Sequence, residues 1–199
     1  MQVGRGHALP GRLTDSDRPA SVDYVPGWLE GADRWMAELV GAIEWEQPTV
    51  TVFGRQHPTP RLTAWFGDAA YSYSGITHPP AAFPAPLAAI RDRLVETTGV
   101  RFNSCLANLY RDGRDSMGAH ADNEPELSPE PTIASVSLGA RRRFVMTHVG
   151  SGRRFVWSLG DGDLLVMSGD SQLEYRHAVP KTTARVAPRL NLTFRTFVR

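Results

Sequence analysis

Apolar and polar residues change their spacing about halfway along this 199-residue chain. In the first half, Trp28, Met36, Leu39, Val40 and Ile43 recur at near-helical intervals and predict an amphipathic helix across 28–45, ended by Pro48. Leu87, Ile90, Leu94 and Val95 form the stripe of a second helix at 86–98, entered from a proline-rich stretch at 79–86 and stopped by Gly99. Between them, 49–53 reads as a short strand and 54–60 as a loop with two prolines. The aromatic-rich runs 61–66 and 70–74 read as a hairpin across Gly67-Asp68. Residues 1–22, rich in Gly, Pro and charge without a period, read as a flexible N-terminal arm.

Past residue 100 the pattern becomes one of short strands, predicted near 102–110, 132–138, 143–147, 154–158, 163–168, 173–179 and 189–198. Turn residues separate them at Gly113, Gly139, Gly150-Ser-Gly152, Gly160-Asp-Gly162 and Gly169-Asp170. Short strands at this spacing predict a sandwich or jelly roll rather than a parallel sheet. The fold class is therefore mainly β (α+β), one domain over 23–199, with the helices backing one sheet.

The last strand carries the chemistry. In Arg189-Leu-Asn191-Leu-Thr193-Phe-Arg195 every second residue is polar, so two guanidiniums share one side of a strand. Upstream, His120-Ala-Asp122 projects an imidazole and a carboxylate to one side of an extended segment. His177, on a late strand, is the best third partner, because His148 sits beside a turn and His7, His57 and His78 lie in loops or the arm. An isolated His-x-Asp is common by chance. With a distant histidine and an arginine-bearing last strand it becomes a ligand set for non-haem Fe(II), two imidazoles and a carboxylate on one face of an octahedron. Zinc would accept the same ligands. The paired arginines favour iron, since they form a receptor for a small dicarboxylate such as the electron donor 2-oxoglutarate, which hydrolysis does not need.

Composition narrows the class. The single cysteine, Cys105, rules out an intrachain disulfide and a cysteine-based zinc cluster. No apolar run approaches the roughly 20 residues of a membrane span, and the N-terminus lacks a signal-peptide core, so a cytoplasmic location is expected. The net charge of +1 conceals an asymmetry. Residues 1–140 carry 11 basic and 17 acidic side chains, and residues 141–199 carry 11 basic and 4 acidic ones. A basic half containing Arg141-Arg142-Arg143 permits contact with nucleic acid or forms a solvated face.

Taken together, Asn108-Leu-Tyr110-Arg, His120-Ala-Asp122, Ile133-Ala-Ser-Val-Ser-Leu-Gly139, His177-Ala-Val-Pro180 and Arg189 through Arg195 resemble the AlkB family of nucleic-acid dealkylases. Pro60-Arg61-Leu-Thr-Ala-Trp65-Phe66-Gly67 and Tyr71-Ser-Tyr73-Ser74 resemble its substrate-gripping hairpin, around 58–76. The likeness spans about residues 24–199 and is nearest the branch of the third mammalian homologue, which favours single strands. It implies a double-stranded β-helix, Fe(II) held by His120, Asp122 and His177, and 2-oxoglutarate with O2 as cosubstrates. It implies cosubstrate contacts at Asn108 and Tyr110, at Arg189 for the distal carboxylate, and at Asn191 and Arg195 nearer the metal. It further implies demethylation of 1-methyladenine and 3-methylcytosine in single-stranded DNA or RNA with release of formaldehyde, by a monomer without a separate acid or base residue.

The resemblance also proposes substrate contacts. Trp65, Phe66, Tyr71 and Tyr73 would stack on or hold the base, Leu106 would face the site, and Glu124 would read the exocyclic amine or the positive charge. Arg61, Arg111 and Arg141 to Arg143 are candidates for phosphate contact. Asn123 stands where the nearest branch often has an acid, which leaves lesion preference open. Alternatives are a related oxygenase acting on a tRNA base or a protein side chain, and a non-catalytic lesion-binding module.

Overall fold

A computed structural model describes residues 22–52, 54–68, 71–73, 76–128 and 130–198 of the chain. The predicted arm at 1–22 lies outside these residues except for its last member. Val22 opens the first strand, opposite Met167.

The elements run β1 (Val22–Val25), α1 (Ala32–Ala42), β2 (Thr49–Val52), β3 (Arg55–Pro58), β4 (Leu62–Gly67), β5 (Tyr71–Tyr73), β6 (Ile76–His78) and α2 (Ala85–Thr98). They continue with β7 (Ser104–Tyr110), β8 (Met117–His120), β9 (Ile133–Gly139), β10 (Arg142–His148), β11 (Arg154–Leu159), β12 (Asp163–Met167), α3 (Ser171–Glu174), β13 (Tyr175–Val179) and β14 (Arg189–Arg195). Six strands form a major sheet in the order β1-β12-β9-β14-β7-β4, and four form a minor sheet in the order β11-β10-β13-β8. Every pairing is antiparallel. This is the expected jelly roll.

Period-two alternation sorts the major sheet into two chemically different faces. Register places Leu190 between Leu109 and Leu138, and Phe194 between Cys105 and Ala134. With Ala64, Phe66, Val136 and Leu192 they form an apolar outer face that packs on Leu39 and Ile43 and on Leu87, Ile90 and Leu94 of α2. Burying each such side chain contributes roughly 1.5–3 kcal/mol. The opposite face is largely polar at its centre: Asn108 pairs with Asn191, Asn191 with Ser137, and Arg189 with Tyr110. Towards the β1 edge it turns apolar. There Ile133, Leu165 and Met167 meet Phe144, Met146, Trp157 and Val179 of the minor sheet.

Local chemistry explains the helix limits. Gly99 adopts φ 72° and closes α2 by donating its N–H to the Val95 carbonyl at 2.8 Å. Helix α1 is shorter than the apolar period predicts, because Gly31 is left-handed at φ 66° and Ile43 is already extended. Trp28 and Trp45 therefore lie outside it but still pack on the same core. Among the described residues no helix is long and apolar enough to cross a membrane.

Two expectations between the helices are corrected. The predicted loop at 54–60 contains β3, which pairs with β2 across a turn at Gly54 with φ 74°. Among the described residues, the predicted hairpin partners at 61–66 and 70–74 do not pair. Instead β4 joins the edge of the major sheet along β7, and β5 pairs with β6. Strand β4 keeps the alternation of β7, with Leu62, Ala64 and Phe66 on the helix side and Thr63 and Trp65 on the other, so six matched residue pairs outcompete a local three-residue partner.

Leu192→Ala is expected to destabilise the protein by about 2–5 kcal/mol in urea unfolding, because Leu192 is fully buried under the helices. Leu173→Ala, at a site 76% exposed, should stay within about 0.5 kcal/mol of the parent. Equal effects would contradict the assignment of the sealed face.

Candidate metal and cosubstrate centre

The minor sheet brings the two histidines together. His120 ends β8 directly opposite His177 on β13, so cross-strand pairing sets their rings on one face with centroids 4.3 Å apart. Two residues later Asp122 places Oδ1 3.5 Å from His120 Nε2 and 3.9 Å from His177 Nε2. One donor atom from each of the three lies within 4.8 Å of the others. Phe144 stacks on His177 with centroids 5.5 Å apart.

Hydrogen bonds fix what each ligand offers. His120 Nδ1 lies 2.9 Å from the Gly118 carbonyl, and donation there leaves the Nε2 lone pair on the Asp122 side. The Asp122 N–H donates to Gln172 Oε1 of α3 at 2.9 Å, pinning the turn after β8. Arg195 donates to Asp122 Oδ2 from both Nε, at 3.0 Å, and Nη2, at 2.8 Å. One carboxylate oxygen is thus engaged while Oδ1 faces the imidazoles. Burial opposes ionisation of Asp122, but Arg195, backed by His120 and His177, holds the carboxyl well below its ordinary range. Burial pushes His177 down to about 3, against the pull of Asp122, so the imidazole is neutral at physiological pH.

At the other end of the polar stripe stands a different feature. Arg189 is 1% exposed and donates one hydrogen bond, from Nη2 to Ser137 Oγ at 2.8 Å. Its Nε and Nη1 are buried without an acceptor in hydrogen-bonding geometry. The guanidinium stacks 5.3 Å from the Tyr110 ring centre, and no carboxylate among the described residues pairs with it. Burial lowers the Arg189 pKa from its ordinary value. A buried cation with unused donors is what a bound anion would satisfy. A cavity at the triad, lined by His120, Asp122 and His177, extends past Leu106, Asn108, Asn191 and Arg195 to Tyr110, the ring on which Arg189 stacks.

Asn191 lines that cavity with its amide already engaged. Its Nδ2 donates to Ser135 Oγ at 2.8 Å and the Val136 carbonyl at 3.2 Å, and its Oδ1 accepts from Thr193 at 3.1 Å. The serines of β9 were not among the predicted site residues, although the alternation Ile133-Ala-Ser-Val-Ser contains the signal. Gln172 was also missed, and nothing in its sequence context marks it.

The predicted substrate residues disperse. Trp65 is buried, stacked on Phe197 at 5.3 Å and packed with Leu106 and Leu127. Phe66, its neighbour on β4, necessarily faces the other way and packs in the helix-side core near Phe83. That position excludes it from a base-stacking role. The side chains of Tyr71 and Tyr73 lie outside the described residues. Glu124 borders a second cavity of about 170 Å³ next to Asp122, shared with Asn123, Leu127 and Gln172.

Phosphate contact by Arg61 is corrected, because that side chain is 5% exposed and donates to Asn108. Arg142 is likewise buried, donating to the carbonyls of Asp112, Asp115 and Pro180. Arg111 pairs with Asp115 and Arg141 with Asp163. Of the Arg141–Arg143 run, Arg143 is exposed without such a pairing.

Known proteins resemble this chain in sequence and fold. The model of the 2OG-Fe(II) oxygenase superfamily matches residues 22–195. The human alpha-ketoglutarate-dependent dioxygenase alkB homolog 3 is 40% identical over 196 residues, covering 89% of this chain and 68% of that protein. The mouse DNA oxidative demethylase ALKBH2 is 41% identical over 177 residues, covering 82% of this chain and 74% of that protein. The solved structure of OsALKBH1 shares the fold, with a TM-score of 0.66 at 18% identity over 90% of this chain and 97% of that one. The chain belongs to the AlkB family of 2OG-Fe(II) oxygenases. It is an Fe(II)- and 2-oxoglutarate-dependent dioxygenase, with His120, Asp122 and His177 as its facial triad. The residues fit both groups: two nitrogen donors and one oxygen suit the metal, and the unused donors of Arg189 suit a carboxylate.

Removing the uncompensated cation should separate stability from binding. Arg189→Met is expected to melt no lower than the parent when free of ligand, because a buried unpaired charge is replaced by an apolar chain. Added 2-oxoglutarate should raise the melting temperature of the metal-loaded parent and leave that of the variant unchanged. Equal stabilisation of both proteins would contradict an anion at Arg189.

Proposed function

We propose that this protein oxidatively demethylates alkylated bases, 1-methyladenine and 3-methylcytosine, in single-stranded DNA or RNA, as part of alkylation repair. The observation that carries the reading is the graded burial of the triad. The Asp122 and His177 side chains are 2% and 8% exposed, while His120 keeps 20%. One imidazole face is therefore reachable from solvent while the rest of the centre stays dry, as oxidation of an extruded base requires. The likeness to a relative named a DNA oxidative demethylase supports a nucleic-acid substrate.

When bound, Fe(II), 2-oxoglutarate and O2 supply hydroxylation of the methyl group as the cosubstrate loses carbon dioxide; the hydroxymethyl group then leaves as formaldehyde. The chain supplies position and environment. Arg189 and Tyr110 form the anion end of the cosubstrate pocket, with Asn108 between them and the triad. Arg195 keeps Asp122 ionised and directed. Phe144 and Leu106 exclude water from either side of the cavity. A base methylated at N1 of adenine or N3 of cytosine is cationic and cannot pair normally, so extrusion costs less than for an intact pair. Such a cation suits the partly exposed His120 plane and the carboxylate of Glu124. Trp65 packs beside Leu106, its cross-strand neighbour, at the edge of this cavity wall.

The test is a single-turnover assay. Protein loaded anaerobically with Fe(II), 2-oxoglutarate and a 3-methylcytosine oligonucleotide is exposed to air, and formaldehyde and restored cytosine are measured. Asp122→Ala should lose turnover; near-normal activity would contradict the assignment. The single strand should react faster than the same lesion in a duplex, and equal rates would remove the strand preference. Raising salt should weaken oligonucleotide binding steeply if exposed arginines such as Arg143 meet phosphates, and a flat response would exclude such contacts.

A further inference from the structure

Arg61 is the one predicted substrate residue whose surroundings assign it a different task. It precedes β4, is 5% exposed, and donates from Nε to Asn108 Oδ1 at 2.8 Å and from Nη1 to the Ser116 carbonyl at 3.4 Å. Among the described residues no carboxylate pairs with it. A guanidinium only donates, so the amide oxygen of Asn108 must face Arg61 and the NH2 group must face away. Rotating the amide by half a turn would set donor against donor inside a buried site. The Asn108 side chain is therefore held in one of its two orientations.

The consequence lies on the far side of the amide. Asn108 is 2% exposed and lines the cavity that holds the triad. Its Oδ1 is engaged by Arg61, and its Nδ2 has no acceptor among the described residues. Asn191, directly opposite on β14, receives Thr193 at its oxygen and no hydrogen bond from Asn108. An NH2 group on a cavity-lining side chain, with no hydrogen bond to the described residues, is open to an acceptor from a ligand.

We propose that Arg61 is a positioning residue for the cosubstrate: it turns Asn108 so that Nδ2 donates to an oxygen of 2-oxoglutarate. This rests on the reading of Asn108 as a cosubstrate contact. It also explains why an arginine in the substrate-hairpin sequence is withdrawn from the surface.

The experiment is a double-mutant cycle read by calorimetry. 2-Oxoglutarate is titrated into the Mn(II)-loaded full chain as parent, Arg61→Met, Asn108→Ala and the double variant. A single-stranded oligonucleotide is titrated into the same four proteins. Each single variant should weaken 2-oxoglutarate about tenfold, the scale of one hydrogen bond to a charged group, and the double variant no further than Asn108→Ala alone. Oligonucleotide affinity should be unchanged throughout. Arg61→Lys, which can still donate to Oδ1, should recover part of the loss. If Arg61→Met does not fold, the same cycle with Arg61→Lys makes the comparison. Fully additive losses would overturn the proposal, since Arg61 would then act independently of Asn108. Loss of oligonucleotide affinity alone would overturn it too and return Arg61 to the substrate side. Normal 2-oxoglutarate binding by Asn108→Ala would instead remove the cosubstrate reading of Asn108 itself.

Discussion

Arg195 meets Asp122 through two hydrogen bonds to one carboxylate oxygen, and that contact ties the last strand of the major sheet to the metal-binding turn of the minor sheet. Both side chains are buried, 4% and 2% exposed, so removing either leaves a charge without its partner in a dry interior. Such a loss costs about 3–5 kcal/mol. The bond also divides the carboxylate into an occupied oxygen and one that faces the histidines. From the other direction, Gln172 fixes the backbone of the same residue. Asp122 is therefore held from two directions by the protein's own hydrogen bonds.

The same interior explains the charge asymmetry of the sequence. Three arginines of the basic half, Arg142, Arg189 and Arg195, are buried inside the fold, while Arg143, Arg153, Arg154, Lys181 and Arg185 are exposed. Arg189 and Arg195 point into the roll, and Arg142 binds three carbonyl oxygens. Arg141 reaches the buried Asp163, which also accepts from Tyr24 and the Gly27 and Gly160 amides. Arg61 donates to Asn108, and Arg142 and Arg189 lie over the Tyr110 ring, so positive charge gathers at this end of the stripe. This is a poor arrangement for a ligand-free core and a suitable one for a small dianion.

Legibility in the sequence followed the range of the signal. The strand Arg189–Arg195 was readable because its alternation is complete within seven residues, and the triad was readable because ligand chemistry restricts the residue types. Strand β4 was misplaced because its partner lies some forty residues downstream, whereas turn chemistry reports only on neighbours. Trp65 and Phe66 were both assigned to the substrate, yet adjacent residues on a strand cannot share a face. Arg61 read as a phosphate contact because an arginine near aromatics has the same appearance buried or exposed. Gln172 sits in a four-residue helix too short to leave a periodic trace.

The central claim is that the triad and the buried arginine end are halves of one site. Calorimetric titration of Mn(II) with and without 2-oxoglutarate, and of 2-oxoglutarate with and without Mn(II), tests it directly. The account predicts that each ligand tightens the other, and by the same factor, as linkage requires of two groups in contact. Affinities that are independent of one another would contradict it.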